Sequence, residues 1–199
     1  MNVIHRLGHR LRYPLPGLHR RIRLVVLRLL GAQIEGSPII DSGVKLPWPH
    51  TVAIGDGAFI FTGVSFDVDS PGPASDVPRI TIGTKAWIGP GVQFNAKAPI
   101  RIGECAYIAA GCKFISFSHG MRLGIPYELQ VDTLRPIKVG KHVWLGANVV
   151  VLCGVEIGDG AVVGAGSLVN KSIPANEVWG GVPARRLGRR TAEGWERMP

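Results

Sequence analysis

Residues 139–174 read VGKHVW LGANVV VLCGVE IGDGAV VGAGSL VNKSIP, which is six consecutive units of six residues. Each unit begins with an aliphatic residue, and its fifth residue is small or β-branched. Glycine follows the aliphatic residue in four units, at Gly140, Gly146, Gly158 and Gly164. A helix repeats every 3.6 residues and a plain strand every two, so neither explains a period of six. The pattern predicts a β-helix, in which short strands and turns alternate around a prism.

In this interpretation the first residue of each hexad points into the prism and the fifth fills space near a corner. We expect the glycine after the aliphatic residue to supply the positive φ that a tight corner demands. Earlier hexads come in groups of three, which indicates a three-sided coil of eighteen residues. These earlier groups begin at Ile54, Ile60 and Phe66, at Ile82, Ile88 and Phe94, and at Ile102, Ile108 and Phe114, and weaker hexads begin at Ile34 and Ile40.

Breaks between the groups are expected to be loops at the corners of the prism, over residues 67–79, 96–99 and 115–136. A long insertion in a compact repeat is usually functional or disordered, so we expect the largest break to carry the chemistry. It reads SFSHGMRLGIPYELQVDTLRP over residues 116–136 and leaves the solenoid through His119. An imidazole can accept a proton at neutral pH, as a hydroxyl or amine acceptor requires when it attacks an acyl group.

The pattern divides the chain into a basic N-terminal segment (residues 1–33), a β-helix (34–174) with an active-site loop at 115–136, and a C-terminal extension (175–199). Apolar residues recur at helical spacing from Gly17 to Leu30, with arginines between them, and Gly31 would end the helix. We expect this helix to cap the open end of the solenoid, which such repeats need. A helix lying on an anionic membrane surface is the alternative.

The formal charge of +9 implies an anionic partner: nucleic acid, an acidic membrane surface or a phosphorylated ligand. The arginines lack interleaved aromatic residues or a recognised nucleic-acid module, so we expect no nucleic acid as a partner. The charge concentrates at residues 6–28 and 185–190. A few basic residues suffice for weak peripheral contact with an anionic membrane, which we therefore expect of the N-terminal segment.

The three cysteines, Cys105, Cys112 and Cys153, form no metal-like cluster, and we interpret them as reduced residues of a cytoplasmic protein. No apolar run approaches the ~20 residues that cross a bilayer. Residues 1–17 contain no continuous apolar segment, so a secretory signal is not expected.

The chain resembles the left-handed β-helix acyltransferases, also called hexapeptide-repeat acyltransferases, from about residue 29 to residue 190. Among them it is most similar to galactoside, maltose and nodulation-factor acetyltransferases and to colanic-acid-type acetyltransferases. The segments that carry the resemblance are IGDGAFI (54–60), ITIG (80–83), SFSH (116–119), IKVGKHVWLGANVVVLCGVEIGDGAVVGAGSLVNKSIP (137–174) and GGVPARRL (180–187). The resemblance implies left-handed coils, an exception to the usual right-handed crossover. It also implies a homotrimer with active sites between neighbouring prisms and acetyl-CoA along the groove.

The resemblance also implies roles for individual residues. The matching positions are His119 as the catalytic base, Trp144 lining the site, Ala147 and Ala165 against the pantetheine arm, Asn170 and Lys171 against CoA, Arg185 near the nucleotide phosphates, and Asn95 on the acceptor side. Close relatives often carry Asp directly after the catalytic His, whereas this chain carries Gly120. The acidic partner of His119 must therefore come from Asp132, Glu128 or a neighbouring subunit.

The function that these observations favour is transfer of an acetyl or small acyl group from acetyl-CoA to a hydroxyl of a sugar or polysaccharide precursor. The alternatives are N-acetylation of a sugar amine and a non-enzymatic trimeric β-helix scaffold. The zinc carbonic anhydrases, a second enzyme class on this fold, need three imidazoles at suitable spacing. Only His119 lies near the right corner, so we expect no metal.

Overall fold

A computed structural model of the chain describes residues 20–69 and 77–197. Helix α1 (Arg20–Leu29) precedes a solenoid of short strands that form three sheets, which we name A, B and C. Sheet A contains β1 (Gln33–Ile34), β3 (Val52–Ile54), β6 (Ile80–Ile82), β9 (Ile100–Ile102), β14 (Ile137–Val139) and β17 (Glu156–Ile157). Sheet B contains β2 (Ile39–Ile40), β4 (Phe59–Ile60), β7 (Trp87–Ile88), β10 (Tyr107–Ile108), β15 (Trp144–Leu145), β18 (Val162–Val163), β20 (Glu177–Gly181), β21 (Ala184–Thr191) and β22 (Gly194–Arg197). Sheet C contains β5 (Ser65–Val68), β8 (Gln93–Ala96), β11 (Lys113–Ile115), β16 (Val150–Val151) and β19 (Leu168–Val169).

The remaining elements interrupt this repeat. Strands β12 (Phe117–Ser118) and β13 (Thr133–Leu134) form a separate antiparallel pair. Short 3-10 helices span Pro49–Thr51 and Tyr127–Leu129.

The strands visit sheets A, B and C in turn, and each pairs in parallel with the strand of the next coil. Val139 is in register with Ile157, Leu145 with Val163, and Val151 with Val169, in sheets A, B and C respectively. Partners in each pair are eighteen residues apart, so one coil is three hexads. The prediction of a three-sided coil is confirmed.

The interior of the prism is a continuous apolar core. Every first and every fifth residue of the six hexads in residues 139–174 is buried, as predicted. The third side of three successive coils contributes a phenylalanine, and the rings of Phe66, Phe94 and Phe114 stack at centroid distances of 5.1 and 5.0 Å. Removing such a side chain from water stabilises the fold by about 1.5–3 kcal/mol. Burial of the inward-facing side chains of the hexads therefore stabilises the fold.

The predicted role of the hexad glycines is wrong. Gly140, Gly146, Gly158 and Gly164 are absent from the residues that adopt positive φ. The left-handed conformation falls two positions further on, at His142, Asn148, Gly154, Gly160 and Gly166. A residue with a side chain can occupy two of these corner positions because a single left-handed residue costs only about 1–2 kcal/mol.

Close approach of the next coil explains the glycine instead. A Cβ atom at Gly146 would lie 2.5 Å from the backbone nitrogen of Ala165, and one at Gly158 would lie 2.5 Å from that of Ala175. Gly164 is the exception, since its nearest contact would be 3.6 Å away. The glycine that follows the aliphatic residue thus allows two coils to meet at a corner.

Helix α1 lies against the first coil. Leu24 is buried, and Leu27 packs against the same core. The Nη1 group of Arg23 donates to the carbonyl oxygen of Ile40 at 2.6 Å, and Arg28 donates to the carbonyl of Gly36 at 2.6 Å. These contacts tie the helix to the entrance of the solenoid.

The N-terminal predictions extend beyond the described part of the chain. Residues 1–19, including the predicted helix start at Gly17, lie outside the described residues, as do the side chains of Arg20 and Arg21. Peripheral contact with an anionic membrane therefore stays a prediction. Within residues 20–69 and 77–197, no helix has the length and apolar character needed to cross a bilayer.

Sheet B continues past residue 174. Strand β20 pairs in parallel with β18, with Trp179 in register with Val163, and β21 and β22 then add in antiparallel fashion. The Nη1 group of Arg190 donates to the carbonyl of Gly160 at 2.8 Å, which fastens β21 to the last full coil. The C-terminal extension is therefore built onto the same sheet as the preceding coils.

The three cysteines, Cys105, Cys112 and Cys153, carry free thiols. Cys112 is buried, and its Sγ donates to the carbonyl of Gly146 at 3.2 Å. Burial raises the pKa of the Cys112 thiol to about 11. Cys112 is thus a neutral core residue at physiological pH.

Two glycine substitutions separate close approach from positive φ. Gly158→Ala should destabilise the fold by about 3 kcal/mol, because the new methyl group forces two backbones apart. Gly166 has φ +69° and open space around its would-be Cβ. Gly166→Ala should therefore cost only about 1–2 kcal/mol for the left-handed conformation. Chemical denaturation measures both, and a larger loss in Gly166→Ala would contradict the assignment.

Candidate active site

The longest excursion from the prism is an arm, residues 117–134, at the corner between sheets C and A. Its neck is the antiparallel pair β12 and β13, with Phe117 in register with Leu134 and Ser118 with Thr133. His119 directly follows β12, and Asp132 directly precedes β13. The register of the neck therefore places His119 opposite Asp132.

His119 and Asp132 form a close pair. Their Nδ1 and Oδ1 atoms are 2.8 Å apart. The His119 side chain is 58% exposed, whereas that of Asp132 is 20% exposed. The carboxylate favours the tautomer with the proton on Nδ1, which leaves Nε2 free to accept a proton from a substrate.

Asp132 is thus the acidic partner that the sequence left open. Glu128, the other candidate within the chain, lies in the 3-10 helix of the arm. It makes no ion pair with His119 in the part of the chain that the structure describes.

The second oxygen of the Asp132 carboxylate also has a partner. Lys97 Nζ lies 2.7 Å from Asp132 Oδ2 and 3.0 Å from Asp69 Oδ2. The hydrogen bond from Lys97, and then that from His119, lowers the pKa of Asp132 below its ordinary value. The bonds to Asp132 and Asp69 raise the pKa of Lys97. At neutral pH the pair is therefore a carboxylate and an ammonium group.

Sequence reasoning missed Lys97. The hexads predict only a corner loop at residues 96–99, and the resemblance gives a role only to the nearby Asn95. The available signal was register: Phe94 and Phe114 pair in adjacent coils, so the break follows its strand at the same corner where the arm follows β11. A lysine there can reach the neck of the arm.

The arm folds around the side chain of Gln130. Its Oε1 accepts from the backbone N–H of Arg122 at 2.7 Å, and its Nε2 donates to the carbonyl of Ile125 at 2.8 Å. A Cβ atom on Gly120 would lie 2.7 Å from Gln130 Oε1 and 3.0 Å from the carbonyl of Val131. The glycine after His119 therefore leaves room for Gln130.

The arm exposes several large apolar side chains. Five of its large hydrophobic side chains are mostly exposed, namely Met121, Leu123, Tyr127, Leu129 and Val131. An apolar surface of this kind commonly marks a contact with a ligand or another protein.

Four other predicted site residues lie on sheet B or at its edge. Trp144 opens β15 and is half exposed on the outer face, in register with Tyr107. Ala147 and Ala165 follow β15 and β18 at the corner between sheets B and C, and the N–H of Gly166 donates to the carbonyl of Ala147 at 2.8 Å. Arg185 is exposed in β21. These four residues therefore lie on sheet B or at its corner with sheet C.

The remaining predicted residues belong to the side of the prism that carries the arm. Asn170 and Lys171 follow β19 and are exposed at the corner between sheets C and A. Asn95 is half-buried in β8, in register with Ile115, and its carbonyl accepts from the N–H of Ser116 at 3.1 Å. Within one chain the predicted site residues therefore lie at two different corners of the prism. His119 is at the corner between sheets C and A, and the two alanines are at the corner between sheets B and C.

A metal site is not evident in the described ranges. Residues 20–69 and 77–197 contain no group of three or more His, Cys, Asp or Glu side chains arranged to hold a metal ion.

The family model and the similar proteins found by comparison agree on one family. The family model for the bacterial transferase hexapeptide (six repeats) matches residues 136–171. WcaF of Escherichia coli (strain K12), which is named for acetyltransferase activity in colanic acid biosynthesis, is 32% identical over 171 residues, covering 85% of this chain and 75% of WcaF. The galactoside O-acetyltransferase of the same organism is 34% identical over 125 residues, covering 53% of this chain and 61% of that enzyme.

Solved structures give the same result. The crystal structure of a hexapeptide-repeat acetyltransferase from Vibrio cholerae O1 biovar eltor, complexed with acetyl-CoA, superposes with a TM-score of 0.59 and 27% identity. The match covers 93% of this chain and 84% of that one.

The contact between Gly120 and Gln130 predicts a sensitive position in the arm. Gly120→Ala should displace Gln130 and loosen the arm, because the new methyl group would overlap the amide. Limited proteolysis with chymotrypsin should cleave the variant between residues 121 and 131 faster than the wild type. The matched control is Arg122→Ala, since Arg122 contributes only backbone groups to the Gln130 contacts. Equal cleavage of Gly120→Ala and wild type would contradict the packing described.

Proposed function

Because the chain belongs to the bacterial hexapeptide-repeat transferase family, we propose that it transfers an acetyl or other small acyl group from acetyl-CoA to a sugar hydroxyl, with His119 as general base. The acceptor is a sugar or a polysaccharide precursor. Two similar E. coli proteins, named for acetyl transfer to a galactoside and for colanic acid biosynthesis, support this substrate class.

The observation that carries the proposal is the pair formed by His119 and Asp132. A general base needs a free acceptor nitrogen within reach of solvent and a partner that fixes its tautomer. His119 satisfies both conditions: its side chain is more than half exposed, and Asp132 engages Nδ1. The pair lies at the neck of the arm, where a substrate can approach Nε2.

The chemistry needs no covalent enzyme intermediate. Nε2 of His119 removes the proton of the acceptor hydroxyl while its oxygen attacks the thioester carbonyl carbon. The tetrahedral intermediate collapses by breaking the C–S bond, and the CoA sulfur takes the proton from the imidazolium. Asp132 holds the imidazolium during the interval, and binding both substrates together supplies much of the remaining acceleration.

Acetyl-CoA is the proposed acyl donor, and the corner that contains Ala147 and Ala165 is its proposed groove. The acetyl-CoA complex of the V. cholerae relative supports this choice of donor. Small side chains let the pantetheine arm approach the backbone closely. Trp144 would lie beside the pantetheine chain of CoA. Arg185 would face a CoA phosphate, which a guanidinium binds through two parallel hydrogen bonds.

The division of site residues along sheet C favours an active site shared between two copies. A homotrimer would place the arm of one prism beside sheet B of the next, so that His119 meets a groove supplied by its neighbour. In that arrangement Asn170 and Lys171 approach CoA from the arm side, and Asn95 lies toward the acceptor. Left-handed coiling, which family membership implies, belongs to the same arrangement.

The reading as a non-enzymatic scaffold is set aside because the family consists of transferases. Acylation of a sugar amine uses the same base and the same donor, so it remains the second candidate. Assays with matched hydroxyl and amino sugars decide between them. The cytoplasmic location is also part of the proposal, and the free thiols are consistent with a reducing compartment.

Loss of the base should abolish most of the activity. His119→Ala should lower kcat by about 10²–10⁴-fold and leave acetyl-CoA binding and thermal stability close to wild type, because the side chain is exposed. Detection of free CoA measures transfer, and calorimetry measures binding. His142→Asn is the control, since it replaces an exposed histidine at another corner with a residue that tolerates positive φ. Activity of His119→Ala within a few-fold of wild type would contradict the assignment of His119 as the general base.

Two basic residues should act mainly on the donor. Lys171→Ala and Arg185→Ala should raise the KM for acetyl-CoA more than the KM for the acceptor, because we propose that both side chains bind CoA phosphates. The difference in the KM for acetyl-CoA between these variants and the wild type should become smaller as the salt concentration increases. Lys138→Ala removes the same charge from the outer face of sheet A and should leave both KM values unchanged. An unaltered KM for acetyl-CoA in both test variants would move the nucleotide site elsewhere.

A further inference from the structure

Lys97 occupies a central position among the charged groups of the candidate site. Its Nζ lies 2.7 Å from Asp132 on the arm and 3.0 Å from Asp69 at the end of the strand β5. The Lys97 side chain is 23% exposed. Lys97 therefore joins the arm to the sheet C side of the prism.

The backbone around Lys97 is held in place independently of its ammonium group. The Oγ of Ser116, which is fully buried, accepts from the N–H groups of Lys97 at 3.1 Å and Ala98 at 2.9 Å. The guanidinium of Arg79 also donates to the carbonyl of Lys97. The fixed backbone limits the positions that Nζ can reach, and the carboxylates then select among the side-chain conformations that remain.

A second route connects Lys97 to His119. Nζ lies 4.6 Å from the ring centroid of Phe117, within the range of a cation–π contact. The Phe117 ring meets the His119 ring edge to face, at a centroid distance of 5.5 Å and an interplanar angle of 75°. Lys97 thus supports both the carboxylate that binds His119 and the ring that packs against it.

We propose that Lys97 is a positioning residue that holds Asp132 in the orientation needed to align His119, with Asp69 fixing Lys97 from the opposite side. This inference rests on the proposed role of His119 as general base. Asp132 has two oxygens, one directed to His119 and one to Lys97. Without Lys97, the carboxylate can rotate or swing away, and the imidazole loses a fixed direction for Nε2.

Lys97 also balances charge around the base. Among the described residues, Asp132 from the arm and Asp69, which directly follows β5, form ion pairs with Lys97, and Arg79 contacts the Lys97 backbone. Removing the ammonium leaves two carboxylates without their shared cation. The loss of this positive charge beside the site should appear in the pH dependence of the rate, because nearby charges change the balance between the two forms of a base.

A purely structural ion pair would behave differently. Pairs that are partly open to solvent contribute only about 0–1 kcal/mol to stability. Loss of Lys97 should therefore change melting temperature little. Its effect should fall on kcat and on the pH dependence of the rate.

Three variants test the proposal, with His119→Ala assayed in parallel. Lys97→Met removes the charge and keeps an unbranched side chain, and Lys97→Arg restores a cation. Lys138→Met is the matched control, because Lys138 forms an ion pair with Glu156 at 2.5 Å on the face of sheet A. We expect Lys97→Met to lower kcat by roughly tenfold or more, with an unchanged KM for acetyl-CoA. The acid limb of its pH–rate profile should move up by about one pH unit. Lys97→Arg should restore the limb, and Lys138→Met should match wild type.

The outcomes separate this inference from the proposed function. If His119→Ala is inactive while Lys97→Met shows wild-type kcat and pH profile, only the role of Lys97 is overturned. If Lys97→Met loses activity together with thermal stability and acetyl-CoA binding, Lys97 is structural and the proposal is also overturned. If His119→Ala stays active, the general-base assignment fails, and the role of Lys97 fails with it.

Discussion

The close approach of successive backbones at the corners of the prism is the constraint on which the structure depends. Parallel pairing requires neighbouring coils to keep a constant spacing of about 4.8 Å, including where each strand ends. At Gly146 and Gly158 this brings the next backbone nitrogen within 2.5 Å of the position where a Cβ would stand. A side chain there would open the ladder on both sides of the corner. Glycine at these two positions therefore lets the parallel ladder keep its register, and the register in turn stacks like residues of each coil in columns.

Fixed register explains where the candidate site can form. A loop inserted at a corner leaves the hexads before and after it in pairing distance, as β11 and β14 show on either side of the arm. The same register brings the short break that holds Lys97 next to the neck of the arm, because both follow paired strands of sheet C. The rigid solenoid thus supplies one partner for Asp132, and the arm supplies the other. The candidate catalytic pair therefore lies on a loop, and a lysine held by the repeat contacts its carboxylate.

The sequence predicts the features that follow from the hexad period. It misses those that depend on contacts between segments far apart in the chain. The hexads predict the three sheets, the eighteen-residue coil and the buried positions, because each follows from spacing along the chain. The reason given for the glycines is wrong, because spacing does not reveal that the positive φ falls two residues later, at positions such as His142 and Asn148. His119 stands out by its place before the long insertion. The choice of Asp132 over Glu128 depends on the register of β12 and β13, two strands too short to recognise from the sequence. Lys97 depends on a side chain that spans two loops.

The division of functional residues along sheet C follows from the geometry of a prism. Side chains on different corners of one coil point away from each other, so they do not meet in one place on a single prism. Bimolecular acyl transfer needs the opposite: two substrates held together, with water kept from the thioester. A projecting arm reconciles the two, because it can form a wall against another surface. The base at the neck of the arm and the small residues at the far edge of sheet C are then complementary halves. In the proposed trimer each interface would join one half from each copy, and activity would then require assembly.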